Sequence, residues 1–85
     1  SLHMPGVSQT ERLLSQAASA REAIDFAKAV QIYTYAAKSD PTDSRALAEL
    51  ADLELLLGHV DRSTKLARQA IARKDSLALP HVVLA

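Results

Sequence analysis

The chain has 85 residues, a formal net charge of zero and no cysteine, which excludes disulfides, thiolate metal sites and a cysteine nucleophile. Zero net charge also provides no overall attraction to nucleic acid or to an anionic membrane. The 16 alanines and 13 leucines, against 2 glycines and 3 prolines, predict an all-α protein, because alanine and leucine are strong helix formers. No window of the sequence is long and apolar enough to span a membrane.

A chain of this length is expected to form one domain. Its first residues, Ser-Leu-His-Met, look like a remnant of expression, so we expect residues 1–7 to be a flexible N-terminus and residues 8–85 to form the domain. Since the sequence shows no signal peptide and no transmembrane segment, the cytoplasm is the default expectation for its location.

The first predicted helix runs from about Gln9 to Ala23. It begins after Ser8, because Ser8-Gln-Thr-Glu11 has the form of a capping box. Its apolar side consists of Leu13, Leu14, Ala17, Ala18 and Ala20.

The second predicted helix follows Asp25, its expected N-cap, and continues to about Lys38. Pro41 ends it, because proline disfavours a helical residue before it. The inward side repeats at helical spacing and consists of Phe26, Ala29, Val30, Tyr33 and Ala36.

The third predicted helix covers about Ser44 to Leu57, with Thr42 or Asp43 as its cap and Gly58 as its end. Its apolar side consists of Leu47, Leu50, Leu53 and Leu57, whereas Leu55 and Leu56 lie off that side. A helix that is apolar on several sides is expected to be buried on several sides.

The fourth predicted helix covers roughly Val60 to Lys74. We expect it to turn Leu66, Ala67, Ala70 and Ile71 inward. After Asp75 the tail is predicted to begin a short fifth helix, with Pro80 near its start. All connections are short, so consecutive helices are expected to be antiparallel neighbours.

A period of 34 residues relates the two halves of the chain. A shift by 34 places aligns Leu13 with Leu47 and His81, Ala17 with Ala51 and Ala85, and Ala36 with Ala70. A fixed period of this length is typical of stacked helix pairs, each of which buries its apolar side against the next.

Two segments resemble the tetratricopeptide repeat family. Ala29-x3-Tyr33-x2-Ala36 followed by Pro41 resembles the second-helix half of its motif, and Leu47-x2-Leu50-Ala51 resembles the first-helix half. The resemblance implies helix-turn-helix repeats stacked as a short right-handed superhelix. Repeat one would cover about residues 10–43, repeat two 44–77, and the start of a third 78–85.

Several positions depart from that motif. Ala20 and Glu54 stand where the family has a large aromatic residue, Ile24 where it has a small turn residue, and Asp75 where it has proline. A three-helix bundle of the microtubule-interacting-and-trafficking type, whose alanine-and-tyrosine helix looks similar, is the alternative fold.

No constellation for catalysis, metal or cofactor binding stands out, and we expect a protein that is not an enzyme. His59, Asp61 and Ser63 contain the residue types of a hydrolase triad, but they fall on a solvent-facing turn where Asp61 serves as a cap. The histidines lack paired ligand spacing. No glycine-rich phosphate loop is present.

The fourth helix carries a row of cations, Arg62, Lys65, Arg68, Arg73 and Lys74. We interpret them as a solvated face rather than a nucleic-acid site, because no aromatic residues are interleaved.

The resemblance implies a function as a protein–protein interaction scaffold, since the first helix of each repeat lines a concave groove in this family. A partner segment would lie there against Glu11, Leu14, Ala18, Arg21, Arg45, Ala48, Glu49, Asp52, Leu55 and Leu56. Some family members hold a terminal carboxylate in this groove with cations and amides. Leu14, Ala18, Glu49 and Asp52 stand at those positions here, which disfavours that type of ligand.

Self-association is the alternative function. An apolar terminus on so small a domain is a candidate contact between copies. The residues concerned are Leu77, Leu79, Val82 and Val83, together with the leucines of the groove.

Overall fold

Four helices make up the part of the chain that the structure describes. This computed structural model describes residues 6–78, with side chains through Ser76. The helices are α1 (Gln9–Glu22), α2 (Phe26–Ser39), α3 (Arg45–Leu56) and α4 (Val60–Ala78). Helices adjacent in sequence pack antiparallel against each other. The predicted all-α fold of paired helices is confirmed, whereas the expected fifth helix lies outside the described residues.

The turn between α1 and α2 closes the end of α1 with two backbone hydrogen bonds. The N–H of Asp25 donates to the carbonyl of Ala20 at 2.9 Å, and the N–H of Ile24 donates to that of Arg21 at 3.0 Å. This is a Schellman motif, in which the residue after the cap adopts a left-handed conformation. Ile24 is that residue, with φ of 63°.

The turn between α3 and α4 has the same geometry. His59 N–H donates to the carbonyl of Glu54 at 2.8 Å, and Gly58 N–H donates to that of Leu55 at 3.0 Å. Gly58 has φ of 86°. Each of these residues lies 34 positions after its counterpart in the first turn, so the sequence period is also a period of the structure.

The predicted caps of α1 and α2 are confirmed. Ser8 Oγ accepts a hydrogen bond from Glu11 N–H at 3.1 Å, and Asp25 Oδ1 accepts one from Lys28 N–H at 3.2 Å. Both bonds satisfy a backbone donor that the first turn of a helix leaves without a partner.

The two residues predicted to cap α3, Thr42 and Asp43, make different hydrogen bonds. Asp43 Oδ1 accepts a hydrogen bond from Arg45 N–H at 2.9 Å, as a capping residue does. Thr42 instead donates through both its N–H and its hydroxyl to Asp40 Oδ1. The N-cap residue of α3 is nevertheless Ser44, whose own side chain makes no capping hydrogen bond, so Asp43 provides its hydrogen bond from one position earlier.

Two clusters of buried side chains form the core. The first joins α1, α2 and α3 and consists of Ala17, Ala20, Ala29, Tyr33, Leu50 and Leu53. The second joins α2, α3 and α4 and consists of Ala36, Ala37, Ala46, Leu47 and Ala70. Leu14 and Leu66 pack against both clusters, so the helix pairs share one continuous apolar interior.

The predicted end of α4 at about Lys74 is wrong, because the helix continues to Ala78. In repeat one, Pro41 follows two residues after the last residue of α2, Ser39. The equivalent position in repeat two is Asp75, which has neither the ring nor the missing N–H that stops a helix. The helix therefore runs through it.

The prediction that Ile71 faces inward is also wrong. Ile71 is 59% exposed, whereas Ala37, its counterpart on α2, is 6% exposed. Ala37 belongs to the cluster that α3 covers. No described helix covers the corresponding side of α4, where Val60 is exposed as well.

Arg73 links the end of α4 to the end of α2. Its Nη1 donates to the carbonyls of Ala37 at 2.9 Å and Asp43 at 3.1 Å, with a longer contact of 3.4 Å to that of Asp40. Carbonyls at a helix C-terminus lack partners within the helix, so this guanidinium links repeat two to repeat one through hydrogen bonds.

Among the described helices, none is long and apolar enough to cross a membrane.

We predict that the two turns respond in opposite ways to exchange of their left-handed residue. Ile24→Gly should raise the free energy of unfolding by about 0.5–1 kcal/mol, because a left-handed conformation is costly for a β-branched residue and easy for glycine. Gly58→Ala should lower it by about 1 kcal/mol. A Cβ at Gly58 would meet no atom within 4 Å, so that variant isolates the backbone effect.

Urea denaturation followed by circular dichroism measures both changes. Destabilisation by Ile24→Gly would show that contacts of the isoleucine side chain outweigh the strain of its backbone.

Candidate functional site

Six of the ten predicted groove residues follow one face of α3. Their spacing of three or four residues places them in a single row. The row consists of Arg45, Ala48, Glu49, Asp52, Leu55 and Leu56. All are exposed except Glu49, which is half-buried. The two leucines are 55% and 60% exposed, so α3 presents apolar surface outside the core.

The other four predicted groove residues lie on α1. Glu11 and Ala18 are exposed, whereas Leu14 and Arg21 are half-buried. Leu14 packs against both core clusters, so its side chain contributes more to the contact between helices than to open surface.

A depression of about 440 Å³ is lined by residues from both α1 and α3. We term it the α1–α3 depression. The predicted groove residues that line it are Ala18, Arg21, Glu49 and Leu56. The remaining six predicted groove residues do not line it. Its volume falls within the range of ligand-binding pockets.

Four further residues line the α1–α3 depression and were not predicted as site residues: Glu22, Ile24, Phe26 and Tyr33. Phe26 and Tyr33 were predicted to face inward. Tyr33 is buried in the first core cluster, and Phe26 is half-buried and packs against it. The signal for a second role was the chemistry of tyrosine, whose ring is apolar and whose tip is polar.

Burial changes the acidity of two groups in the depression. Burial raises the pKa of the Glu49 carboxyl above its ordinary value, although the charges of Arg21 and Arg45 lower it and that of Asp52 raises it further. Burial also raises the pKa of Tyr33, with a further increase from the charge of Glu49. Both groups are therefore disfavoured as anions in their present surroundings.

Arg45 pairs with Asp43, two residues before it, rather than with Glu49. Its Nη2 lies 2.7 Å from Asp43 Oδ2, and its Nε contacts both carboxylate oxygens at 3.1 Å. The hydrogen bond from Arg45 is the main reason that the pKa of Asp43 lies below its ordinary value. Glu49, in contrast, forms no ion pair with any described residue.

A family model for the tetratricopeptide repeat matches residues 20–79. This range includes both Schellman turns and the two segments that resemble the halves of the repeat motif. The chain belongs to the tetratricopeptide repeat family. Members of this family are generally protein–protein interaction modules and are typically non-catalytic. No curated protein and no solved structure matches the chain.

Glu54 shows how this tetratricopeptide repeat replaces a large aromatic residue by a carboxylate. The side chain is 2% exposed, with Oε2 2.9 Å from Arg62 Nη1 and Oε1 3.0 Å from His59 Nδ1. Burial raises the pKa of Glu54, but hydrogen bonds and charge from these two partners outweigh it, so the pKa lies below its ordinary value. The buried charge is therefore compensated.

The residues considered as a triad make unrelated contacts. Ser63 is buried and its hydroxyl donates to the carbonyl of Ala51 at 2.7 Å, while His59 faces Glu54. The Ser63 N–H donates to the His59 carbonyl at 2.9 Å as part of the helix backbone. No hydrogen bond joins the side chains of His59, Asp61 and Ser63 in the described part of the chain. Over the same residues, no group of three or more His, Asp or Glu could hold a metal ion.

A second depression, of about 370 Å³, lies between α2, α3 and α4. Its polar lining includes Glu54, Arg62 and Arg73. Arg62 pairs with Glu54, and Arg73 donates to backbone carbonyls. Two of the five cations of α4 are therefore engaged in structural contacts. The polar groups of the α1–α3 depression are less fully paired, which makes it the stronger candidate site.

We predict that Glu54 and Glu49 affect the pH dependence of stability in opposite directions. The pKa of Glu54 is lower in the folded state, so its charge stabilises the fold above the unfolded glutamate pKa of about 4.3, and this contribution disappears as pH falls through the lower folded value. Glu54→Gln should therefore lose about 1–3 kcal/mol at pH 7 and approach the parent protein in acid.

Glu49→Gln is the matched control, because the pKa of Glu49 is raised. It should be as stable as the parent protein or more so at pH 7, with the difference closing as pH falls. Urea titrations between neutral and acidic pH measure both slopes. A parallel acid response of the two variants would contradict the contacts assigned to Glu54.

Proposed function

We propose that this chain is a protein–protein interaction module that binds a partner segment along the groove residues of α1 and α3. The observation that carries the proposal is the outward row of α3, which exposes Leu55 and Leu56 and borders the α1–α3 depression. Apolar surface next to a preformed concavity is typical of binding sites.

The proposed mechanism is passive binding, without catalysis or a cofactor. Antiparallel helices held by two shared core clusters present the groove side chains on rigid elements. A partner segment then loses less free energy to ordering of the site than it would on a flexible surface. A helical segment would contact the groove through apolar residues spaced at i, i+3, i+4 and i+7.

We predict that Leu56→Asp abolishes or weakens partner binding at least about tenfold, because a carboxylate at a contact of this kind loses hydration that is not replaced. The partner is first captured with the unsubstituted protein and identified by mass spectrometry. Its affinity for each variant is then measured by calorimetry.

Ile71→Asp is the control, since Ile71 is 59% exposed, close to the 60% of Leu56, but lies on α4. This variant should bind normally. Circular dichroism should be unchanged in both variants. Full binding by folded Leu56→Asp would refute the groove assignment.

Self-association is a second candidate function, favoured by the uncovered side of α4, where Val60 and Ile71 are 57% and 59% exposed. The other residues considered for it, Leu79, Val82 and Val83, lie outside the described residues, as does the side chain of Leu77. If α4 mediates it, the mass from light scattering should rise with protein concentration, and Ile71→Asp should restore a monomer. A constant monomer mass would remove this candidate.

A further inference from the structure

Tyr33 lines the α1–α3 depression, and its hydroxyl has no hydrogen-bond partner among the described residues. Tyr33 is only 1% exposed. Every fully buried side-chain oxygen and nitrogen in the described part of the chain has a partner. The hydroxyl is therefore not among the fully buried polar atoms, and Tyr33 is one of the residues that line the depression.

Glu49 places a second polar group in the same depression. It is half-buried and contacts no described cation within 4.0 Å. Arg45 is occupied by Asp43. Arg21 is near enough for its charge to act on both Glu49 and Tyr33, but it forms no ion pair. A partly desolvated carboxylate without a cation is stabilised by one that a ligand supplies.

Large apolar side chains form part of the rim of the depression, beside the charged residues Arg21 and Glu22. They include Phe26, which is half-buried, and Leu56, which is exposed. Ile24 is 70% exposed and has a left-handed backbone that glycine would adopt without strain. A large apolar side chain held in a strained turn beside a depression is a feature of binding sites.

The groove as a whole carries an excess of negative charge. Its carboxylates are Glu11, Glu22, Glu49 and Asp52, against the guanidiniums of Arg21 and Arg45. An anionic ligand, such as a nucleic-acid phosphate or a peptide carboxylate, would meet repulsion here, whereas a cationic segment would be attracted.

We propose that the α1–α3 depression receives an arginine side chain of a protein partner, flanked by apolar residues that contact the rim. This inference rests on the proposed function and adds the chemistry of the ligand. The guanidinium pairs with the Glu49 carboxylate and donates to the Tyr33 hydroxyl, and its stem lies against Phe26 and Leu56. Arginine suits this site better than lysine, because its planar group offers several fixed donors and is less strongly hydrated.

The test uses peptides of the form Ala-Leu-X-Leu-Ala, blocked at both ends, in which X is arginine, citrulline, lysine or glutamate. Citrulline keeps the shape of arginine and removes its charge. Two-dimensional NMR titration of the full chain gives the affinity and the location of each peptide. We expect the arginine peptide to shift amides around Arg21, Tyr33 and Glu49, and to bind about tenfold more tightly than the citrulline peptide.

Three variants test the assigned roles. Glu49→Gln should remove the preference for arginine over citrulline, and Tyr33→Phe should weaken arginine binding several-fold while the fold is retained. Arg21→Gln should leave arginine binding unchanged or strengthen it, since it removes a competing cation, whereas it would weaken an acidic ligand. Asp75→Asn on α4 removes one carboxylate elsewhere and should have no effect.

Equal binding of arginine and citrulline, or preferred binding of glutamate, would overturn the inference. Leu56→Asp separates this failure from failure of the proposed function. If Leu56→Asp abolishes peptide binding and Glu49→Gln does not alter it, the groove binds peptides without recognising a cation. If Leu56→Asp also has no effect, the groove itself is wrongly assigned.

Discussion

Close contact between helices at alanine is the constraint on which this structure depends. Ala17 on α1 and Ala29 on α2 have no exposed surface, and each lies in the cluster that joins the helices of repeat one. A side chain of one carbon allows two helix backbones to approach closely, so the large side chains beside it, Tyr33 and Leu53, fill the remaining volume. Burial of this kind supplies most of the stability of a small helical domain.

The same contact determines which side chains remain outside the core. Since α3 packs against α2 on one side and α4 on another, its residues divide into a core side and a single outward row. The pairing also positions the end of α1 beside α3, where the α1–α3 depression forms. The depression is therefore a product of helix stacking, completed by Ile24 of the turn between α1 and α2.

Local features of the fold could be predicted from the sequence, and features that depend on distant residues could not. Each cap, at Ser8 and at Asp25, depends on residues three positions apart, and the 34-residue period is a repetition within the sequence itself, so these features were predicted correctly. Arg73 reaches carbonyls about 30 residues away, and no local pattern indicates that contact. Likewise, the helical spacing predicted Tyr33 as a core residue but could not show that it also lines a depression.

Glu54 and Glu49 lie on the same helix and illustrate how the scaffold separates structural from available charge. Glu54 lies on the side that meets α4, where Arg62 and His59 saturate its oxygens and its negative charge contributes to the fold. Glu49 lies on the outward row, where burial is partial and the nearest cations are engaged elsewhere or out of contact. A carboxylate whose surroundings oppose its charge, and which the fold leaves without a cation, interacts most favourably with a cation from outside. The proposed arginine ligand therefore follows from the polar groups that helix packing leaves unpaired.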